Sequence, residues 1–398
     1  MKKVELLAPA GDLEKLKIAI LYGADAVFCG GKQFSLRAKA NNFSLEDLKE
    51  AVIFANKHKA KIHVTVNIVP EDFDFKTLDD YLLSLDSIGV HAIIVSSVYI
   101  MQRAKELNCK FEIHVSTQQS IANSLSAQFF KDNLNVDRVV LARELSVKDI
   151  TTFDKNTNIP KEVFIHGGMC SSYSGRCGLS NSMVDRDANK GGCAHSCRWA
   201  YQLYQNDTLV SPNTFIIASC DLMSISYIPQ LLNANVDSFK IEGRMKSLHY
   251  IATVVNAYRR LIDEYYEKGS ILPSRLAYYK KEIKKAENRV TYTGFLGNKI
   301  KNEAILSNMG EENPTQSFIA IVIKEKKEKD YMLIEVRNNF EIGSKVEAFM
   351  PSGKTINFKM DKMYDLDDNL VEVARHPKQI LKLKTNLDLP TNTFIRKK

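Results

Sequence analysis

The chain contains 398 residues, of which 44% are hydrophobic and 26% are charged, and its formal net charge is +8. This length is sufficient for two or three domains with a large buried core, and the composition is typical of a soluble enzyme. The sequence contains no apolar run of about 18 residues, which excludes a membrane-spanning helix, and its start, MKKVELLAPAGDLEKL, has no apolar run of signal-peptide length. We therefore expect a cytoplasmic protein.

The first 270 residues alternate between short apolar runs rich in β-branched residues and longer stretches with helical periodicity. Eight such strand–helix units in about 250 residues predict a (β/α)8 TIM-like barrel. A doubly wound open sheet is the alternative, but no G-x-G-x-x-G follows the first strand. Asp12, Ser44 and Ser146 are expected to cap helices. The predicted strands are 4–10, 26–31, 61–69, 92–97, 111–118, 138–143, 162–168 and 238–243.

The seventh predicted strand is followed by a cysteine-rich segment, 169–215, that contains four of the seven cysteines in the chain. Their spacing is C-x6-C-x15-C-x3-C, and they are Cys170, Cys177, Cys193 and Cys197. Disulfides are rare in the cytoplasm, and structural zinc prefers closely spaced ligand pairs, of which the motif has only one. An iron–sulfur cluster accepts more varied spacing, and the surrounding glycines would let backbone N–H groups approach cluster sulfurs. The pattern favours iron–sulfur but leaves zinc open.

The barrel is predicted to end near residue 270, and a basic helical linker is predicted over 271–310. Between residues 244 and 290 there are eleven basic and five acidic residues, which predicts either a contact surface for RNA phosphates or a solvated helix face. From residue 311 to 398 the apolar pattern has a period of two, with turns between the runs, which predicts a small antiparallel β-barrel domain. The cysteine segment itself contains a predicted hairpin that turns at Asn206 and Asp207.

Active sites of such barrels form at the carboxyl ends of the strands, so polar residues at those positions are the site candidates. His166 and Glu242 are the candidates for acid–base catalysis. The remaining candidates are predicted to bind substrate, because guanidinium groups suit a small carboxylate-containing anion. They are Arg37, Ser116, Gln118, Arg143, Lys240 and Arg244. Cys29 and Cys109 have apolar surroundings typical of core cysteines, whereas Cys220 is either a spare ligand, a core residue or a redox thiol.

The segment EVFIHGGMCSSYSGRCGLS (162–180) resembles the signature of the collagenase-like U32 peptidase family, E-x-F-x-x-G-[small]-[aliphatic]-C-x4-G-x-C-x-[aliphatic]-S. ELLAPAGDLEKLKIAILYGADAVFCGG and VDSFKIEGRMKS resemble the first and last barrel segments of that family. The likeness covers the barrel and, more loosely, the C-terminal domain. No H-E-x-x-H, G-x-S-x-G or Walker A motif accompanies it.

The resemblance implies iron–sulfur chemistry, because several members of this family catalyse anaerobic-type hydroxylation. Family members with this cysteine run and an added small β-barrel hydroxylate the wobble uridine of tRNA to 5-hydroxyuridine, with prephenate as the oxygen source. The resemblance implies the same reaction for this chain. Close relatives hydroxylate a ribosomal RNA cytidine or the ubiquinone ring. By position, the four motif cysteines would hold a [4Fe–4S] cluster, although a set with Cys220 in place of Cys197 stays open.

The expected partners are the anticodon arm of tRNA and a related family member as a second subunit. Two other readings stay open at this point. One is a peptidase with structural zinc, and the other is a non-catalytic RNA-binding factor.

Overall fold

The computed structural model describes residues 3–36, 42–210, 214–286, 288–297, 311–312, 315–325 and 331–398. Strands and helices alternate through the first seven strands, and eight of the first eleven strands form one closed parallel sheet. In chain order they are β1 (Glu5–Pro9), β2 (Ala26–Gly30), β3 (Lys61–Val66), β4 (Ala92–Val95), β5 (Glu112–Val115), β6 (Arg138–Val140), β7 (Lys161–Gly167), β8 (Tyr204–Gln205), β9 (Thr208–Leu209), β10 (Asp221–Met223) and β11 (Ser238–Ile241).

Strands β1 to β7 and strand β11 form the barrel. Neighbouring strands follow one another in sequence and run parallel, and β11 pairs with both β1 and β7. Ser238 lies opposite Glu5 on one side and Glu162 on the other, which sets the register of the closing seam. Every residue of β2, β4 and β7 is buried, as expected for strands covered on both faces. The predicted (β/α)8 barrel is therefore confirmed.

Helices cover the outside of the barrel, and their predicted amino-terminal caps are confirmed. The side chains of Asp12, Ser44 and Ser146 each accept a hydrogen bond from the backbone N–H three residues later. In the described residues the α-helices are α1 (Leu13–Leu21), α2 (Leu45–Lys57), α3 (Leu78–Ile88), α4 (Val98–Glu106), α5 (Ser124–Leu134), α6 (Val147–Asn156), α7 (Leu179–Val184), α8 (Ile228–Asn233), α9 (Leu248–Lys268) and α10 (Pro273–Ile283). Short 3-10 helices span Asp72–Thr77, Thr117–Gln119, Tyr173–Gly175, Ala188–Lys190, Ser196–Arg198 and Ile225–Tyr227.

The cysteine-rich segment is an insertion between β7 and β10, as predicted. β7 ends at Gly167, whose φ is +101° and at which an added Cβ would lie 2.2 Å from the carbonyl oxygen of Glu242. β10 returns antiparallel to β7. Within the insertion, β8 and β9 form the predicted hairpin, and Asn206 and Asp207 have the positive φ angles that two-residue hairpin turns require.

The inside of the barrel contains charged and imidazole side chains as well as apolar ones. Six of them form a cluster that we call the buried ionic layer. Glu162 binds the Nζ of Lys240 at 2.7 Å and the guanidinium of Arg138 at 3.2 Å, and Glu5 binds Arg138 at 2.6 Å. Each carboxylate in the layer therefore has a cationic partner. The layer consists of Glu5, His63, His114, Arg138, Glu162 and Lys240.

The C-terminal domain is antiparallel, as predicted. Seven strands pair in the order β19-β18-β23-β15-β16-β22-β20, and β17 pairs with β21. In the described residues the two outer strands of the seven do not pair with each other, so the sheet is a half-barrel rather than a closed barrel. The strands are β12 (Asn288–Arg289), β13 (Thr291–Tyr292), β14 (Glu311–Glu312), β15 (Ser317–Lys324), β16 (Tyr331–Val336), β17 (Phe340–Glu341), β18 (Lys345–Phe349), β19 (Thr355–Lys359), β20 (Met363–Tyr364), β21 (Val373–Ala374), β22 (Ile380–Lys384) and β23 (Phe394–Lys397).

The half-barrel packs on α1 and α9, the helices next to the closing seam of the barrel. The hydroxyl of Tyr22 lies 2.9 Å from the carbonyl oxygen of Phe349 and 2.8 Å from that of Asn392. An apolar cluster surrounds this contact and includes Leu248 and Phe394. Residues 298–310 of the predicted linker lie outside the described residues. Of the helices that the structure describes, none is long and apolar enough to cross a membrane.

Candidate active site

The two predicted acid–base residues lie side by side where β7 and β11 end. The backbone N–H of Glu242 donates to the carbonyl of His166 at 2.8 Å, and Gly167 allows the two strands to approach closely. The His166 ring is buried, with its Nδ1 3.2 Å from the hydroxyl of Tyr258. Tyr258 is held in turn by the backbone of β7. His166 therefore has a fixed orientation at the carboxyl end of the barrel, which we call the mouth.

Arg244 crosses the mouth from β11 to the loop after β2. Its guanidinium is buried and donates to Ser35 Oγ at 3.1 Å, to the carbonyl of Leu36 at 3.2 Å and to Asn42 Oδ1. Gly30 has no room for a Cβ, because the guanidinium of Arg244 occupies that space. Arg244 thus fixes the loop that leads to Arg37. Arg37 itself, a predicted substrate-binding residue, lies outside the described residues.

Ser116 and Gln118 form one polar group with Asn67 on the opposite side of the mouth. Gln118 Oε1 accepts from Asn67 Nδ2 at 2.8 Å and from Ser116 Oγ at 3.0 Å. The same glutamine anchors the insertion, because Arg176 donates to its backbone carbonyl and Gly175 packs on its Cγ. The prediction that these residues share one site agrees with their proximity. The connection to the cysteine motif was not predicted.

Arg143 also joins the mouth to the insertion, and it has no described carboxylate as a partner. Its guanidinium lies 3.9 Å above the ring of Phe164 and donates to the carbonyl of Gly168 at 2.8 Å. Its backbone N–H donates to Ser174 Oγ. The next residue, Glu144, binds the backbone N–H and the hydroxyl of Ser174. A half-buried guanidinium without a counterion is suited to bind an anion.

Lys240 does not lie at the mouth. It is part of the buried ionic layer, where its Nζ binds Glu162 at 2.7 Å and lies 4.6 Å from the ring centroid of Phe28. Because the side chain is buried and already paired with a carboxylate, its location does not suit the substrate-binding role that we predicted. The error arose because position along the strand does not reveal how far inside the barrel a side chain lies.

The motif cysteines lie in loops and short helices of the insertion. Cys170 and Cys193 are exposed, Cys177 and Cys197 are half-buried, and none of the seven cysteines forms a disulfide. Burial raises the pKa of Cys197, a hydrogen bond from Ser171 lowers it, and the nearby thiols of Cys170 and Cys193 raise it further. Three of the four predicted ligands are thus electrostatic neighbours. This proximity makes the thiols suitable ligands for a soft metal centre.

Cys220 is buried in a small apolar cluster, against which Cys197 packs. It therefore lies near the motif, and its alternative role as a ligand stays open. Burial raises the thiol pKa values of Cys29 and Cys109 to about 12 and about 11. Both remain protonated at neutral pH. Cys29 lies in the core as predicted, whereas Cys109 is half-buried and packs against the core.

Five of the eleven basic residues within 244–290 form salt bridges among the described residues. Arg259 pairs with Asp25 and Asp263, and Arg275 pairs with Glu264. Further along, Lys285 pairs with Glu282 and Glu347. Asp25 and Glu347 lie far from this stretch in the sequence, so the count of charged residues within 244–290 could not reveal them as partners. These paired cations contribute to helix packing and to the contact between domains. Contact with RNA phosphates by the other basic residues of this stretch stays a prediction.

Comparison with known proteins identifies two family matches. The model of peptidase family U32 matches residues 11–306, and that of the peptidase family U32 C-terminal domain matches residues 314–396. A Bacillus subtilis protein named tRNA hydroxylation protein P1 is 41% identical, and the match covers 100% of this chain and 95% of that protein. A Methanocaldococcus jannaschii protein named as an uncharacterized protease is 34% identical, covering 96% and 95%.

A third relative is an Escherichia coli protein named as a 23S rRNA 5-hydroxycytidine synthase. It is 37% identical, and the match covers 67% of this chain and 40% of that longer protein. Two of these three relatives are therefore named for RNA hydroxylation.

Proposed function

The chain belongs to peptidase family U32, and on this premise we propose that it is an RNA-modifying enzyme that hydroxylates the wobble uridine of tRNA to 5-hydroxyuridine. The observation that carries the proposal is the likeness over the full chain to a protein named for tRNA hydroxylation. The site supports it, because the cysteine insertion is joined to an arginine-containing barrel mouth through Arg143 and Gln118. A ribosomal RNA cytidine is the second candidate substrate, favoured by the partial match to the rRNA synthase.

We propose that Cys170, Cys177, Cys193 and Cys197 hold a [4Fe–4S] cluster, which supplies one-electron transfer when bound. The electrostatic proximity of three of these thiols supports this ligand set. The glycines of the insertion allow the backbone to turn tightly around them, since Gly175 and Gly191 have positive φ angles. Burial raises the pKa of the Cys197 thiol, and the charge of the neighbouring Arg198 partly offsets that rise.

The proposed oxygen source is prephenate, a dicarboxylate that the mouth is suited to bind. Arg143 offers a guanidinium without a described acidic partner, and the Asn67–Gln118 amide pair offers neutral hydrogen-bonding groups. Replacing uracil C5–H by C5–OH withdraws two electrons from the base. Replacing the prephenate C–OH by C–H takes up the same two electrons, so the reaction balances without dioxygen.

Proton transfer at C5 requires a group that can accept the departing proton and return it. His166 and Glu242 are adjacent at the mouth, and the His166 ring is fixed by its contact with Tyr258. A histidine or carboxylate in this position can act as the base, and the same group can later protonate the carbon of the reduced co-substrate.

The base must be unstacked before it reaches the mouth, and the wobble base of tRNA already lies in a loop. Tyr173 and Trp199 are exposed on the insertion, by 52% and 39%. Exposed aromatic rings next to a catalytic centre are typical of surfaces that stack unpaired bases. We propose that one or both rings hold the wobble base or its neighbour.

The first test is nucleoside mass spectrometry on separated tRNA and ribosomal RNA from cells with and without the gene for this chain. Loss of 5-hydroxyuridine from tRNA alone supports the proposal. Loss of 5-hydroxycytidine from ribosomal RNA would instead identify the ribosomal RNA cytidine as the substrate. Complementation with Cys170→Ala should fail, while the matched control Cys109→Ala should restore the modified base. No change in either RNA would reject hydroxylation.

The oxygen source needs a separate experiment with purified protein under argon. Protein that contains iron and sulfide is incubated with unmodified tRNA and with prephenate labelled with heavy oxygen at its ring hydroxyl. The label should appear in 5-hydroxyuridine. Unlabelled product would reject prephenate as the oxygen donor but keep the hydroxylase. Zinc without sulfide, together with peptide cleavage, would support the peptidase reading instead.

A further inference from the structure

Two histidines inside the barrel lack the hydrogen bonds that buried imidazoles normally form. His63 and His114 are both 0% exposed. Neither ring nitrogen of His63 has a partner among the described residues, and neither has Nδ1 of His114. Buried polar groups are almost always satisfied, because an unsatisfied one costs roughly 1–3 kcal/mol. Three unsatisfied nitrogens in one place therefore indicate a missing occupant.

The second nitrogen of His114 shows which atom is available to that occupant. Nε2 lies 2.8 Å from a carboxylate oxygen of Glu112. A carboxylate at this distance fixes Nε2 as the protonated nitrogen and leaves the lone pair on Nδ1. Histidines that bind metals are commonly oriented by a carboxylate in the same way.

Glu162 completes a group of three possible ligands. The ligand atoms of His63, His114 and Glu162 all lie within 4.8 Å of one another. They come from β3, β5 and β7, and side chains from alternate strands of such a barrel enter the same interior layer. Tetrahedral zinc, with bonds of about 2.0–2.1 Å, needs ligand atoms about 3.3 Å apart. Binding therefore requires side-chain rotations that draw these atoms closer together.

The charges of the layer allow a dication but oppose tight binding. Glu5 and Glu162 balance Arg138 and Lys240, and Glu112 adds one negative charge at the edge. Burial, His114 and Arg138 hold the pKa of His63 well below its usual range, so this imidazole is neutral and able to bind a metal. Lys240 and Arg138 compete with a metal for Glu162.

We propose that His63, His114 and Glu162 form an internal site for a divalent cation of the zinc class, separate from the cysteine motif. Two imidazoles and a carboxylate are a donor set that zinc and similar borderline ions prefer. All three ligands are fully buried, so the ion has a structural role: it joins β3, β5 and β7 from the inside. The proposal is independent of the RNA reaction, because none of these residues lies at the mouth.

The test begins with the full chain purified with its iron and sulfide. Elemental analysis should find one equivalent of zinc in addition to the iron. After removal of zinc, cobalt should restore the occupancy and give the visible bands of a nitrogen and oxygen site. Cobalt in the cysteine motif would instead show intense thiolate charge-transfer bands, so the spectrum separates the two locations even if no variant folds.

Variants then assign the ligands. His63→Gln and His114→Gln should each lose the zinc equivalent while keeping iron and sulfide, whereas His58→Gln, a surface control on α2, should keep all three. Lys240→Met should bind zinc about tenfold more tightly, because the substitution removes the ammonium group that competes with the metal for Glu162. The proposal is overturned if the wild-type protein contains no zinc and shows no nitrogen–oxygen cobalt bands. It is also overturned if both histidine variants keep zinc at the wild-type stoichiometry.

Discussion

The inside of the barrel and its mouth both contain arginine side chains, but their partners differ. Inside, Arg138 binds two carboxylates, the half-buried Glu5 and the fully buried Glu162. At the mouth, Arg143 stacks on Phe164 and donates to a backbone carbonyl, with no described carboxylate as a partner. A guanidinium with two carboxylates stabilises the fold, whereas one without a counterion remains available to a ligand. The same residue type is therefore paired with carboxylates in one region and, as we propose, available to a ligand in the other.

The largest loss of stability is expected from a substitution inside the barrel. Arg138→Met leaves Glu5 without its cation and weakens the pairing of Glu162. Removing one partner of a buried ion pair costs roughly 3–5 kcal/mol, because the remaining charge stays buried. Urea unfolding at neutral pH measures the loss. The double variant Arg138→Met/Glu5→Leu should recover part of it, and an equal loss in the double variant would contradict the charge argument.

The second prediction concerns activity and a substitution at the mouth. Arg143→Ala should lower kcat/KM for prephenate by about 100-fold, since a charge-assisted contact to a carboxylate is worth roughly 2–5 kcal/mol. Its unfolding free energy should change by about 1 kcal/mol or less, the value of the cation–π contact. Arg103→Ala, on the outer helix α4, is the control for activity. An Arg143 variant that is unstable but fully active would assign this arginine to the fold.

A third prediction concerns an ion cluster outside the barrel, between α9 and α10. The hydrogen bond from Arg275 lowers the pKa of Glu264 to about 2. The carboxylate therefore stabilises the fold above about pH 4.5, and this contribution disappears as the pH falls towards 2. Glu264→Gln should cost roughly 1–2 kcal/mol at neutral pH, because solvent screens part of the pairing. The variant should differ less from wild type at about pH 3, and a constant difference would be inconsistent with this origin.

A fourth prediction, of similar size, concerns the contact between the domains. Tyr22→Phe removes the hydroxyl that reaches the carbonyls of Phe349 and Asn392. We expect a loss of roughly 1–2 kcal/mol, because buried carbonyls lose their donor while the apolar packing is kept. Differential scanning calorimetry should show a lower melting temperature and unchanged activity. Tyr227→Phe, on the 3-10 helix before α8, serves as the matched control.

The barrel could be predicted from the sequence because buried strands and amphipathic helices leave regular patterns over many residues. The helix caps and the hairpin at Asn206–Asp207 were equally predictable, since each depends on a few adjacent residues. That the C-terminal sheet is an open half-barrel rather than the predicted barrel was not predictable, because it depends on which distant strands pair. The domain boundaries remain predictions.

The site was only partly predictable for the same physical reason. The cysteines stand out by their spacing, and the positions of Arg143 and Gln118 follow from strand ends. Lys240 also occupies such a position, but its Nζ is bound to a glutamate 78 residues away. His63 gave no signal, since one histidine in a strand is ordinary until the opposing strands are known. Arg176 was overlooked although it immediately precedes Cys177.

The packing of the half-barrel on α1 and α9 has a consequence for the kinetics of folding. The barrel closes when β1 meets β11, and these strands are separated by more than half of the chain. Closing so long a loop is entropically expensive, so the seam should form late. The C-terminal domain lies across the two helices that flank this seam and forms contacts that follow closure. Such late contacts slow unfolding more than they speed folding, so the domain should act mainly by lengthening the lifetime of the closed barrel.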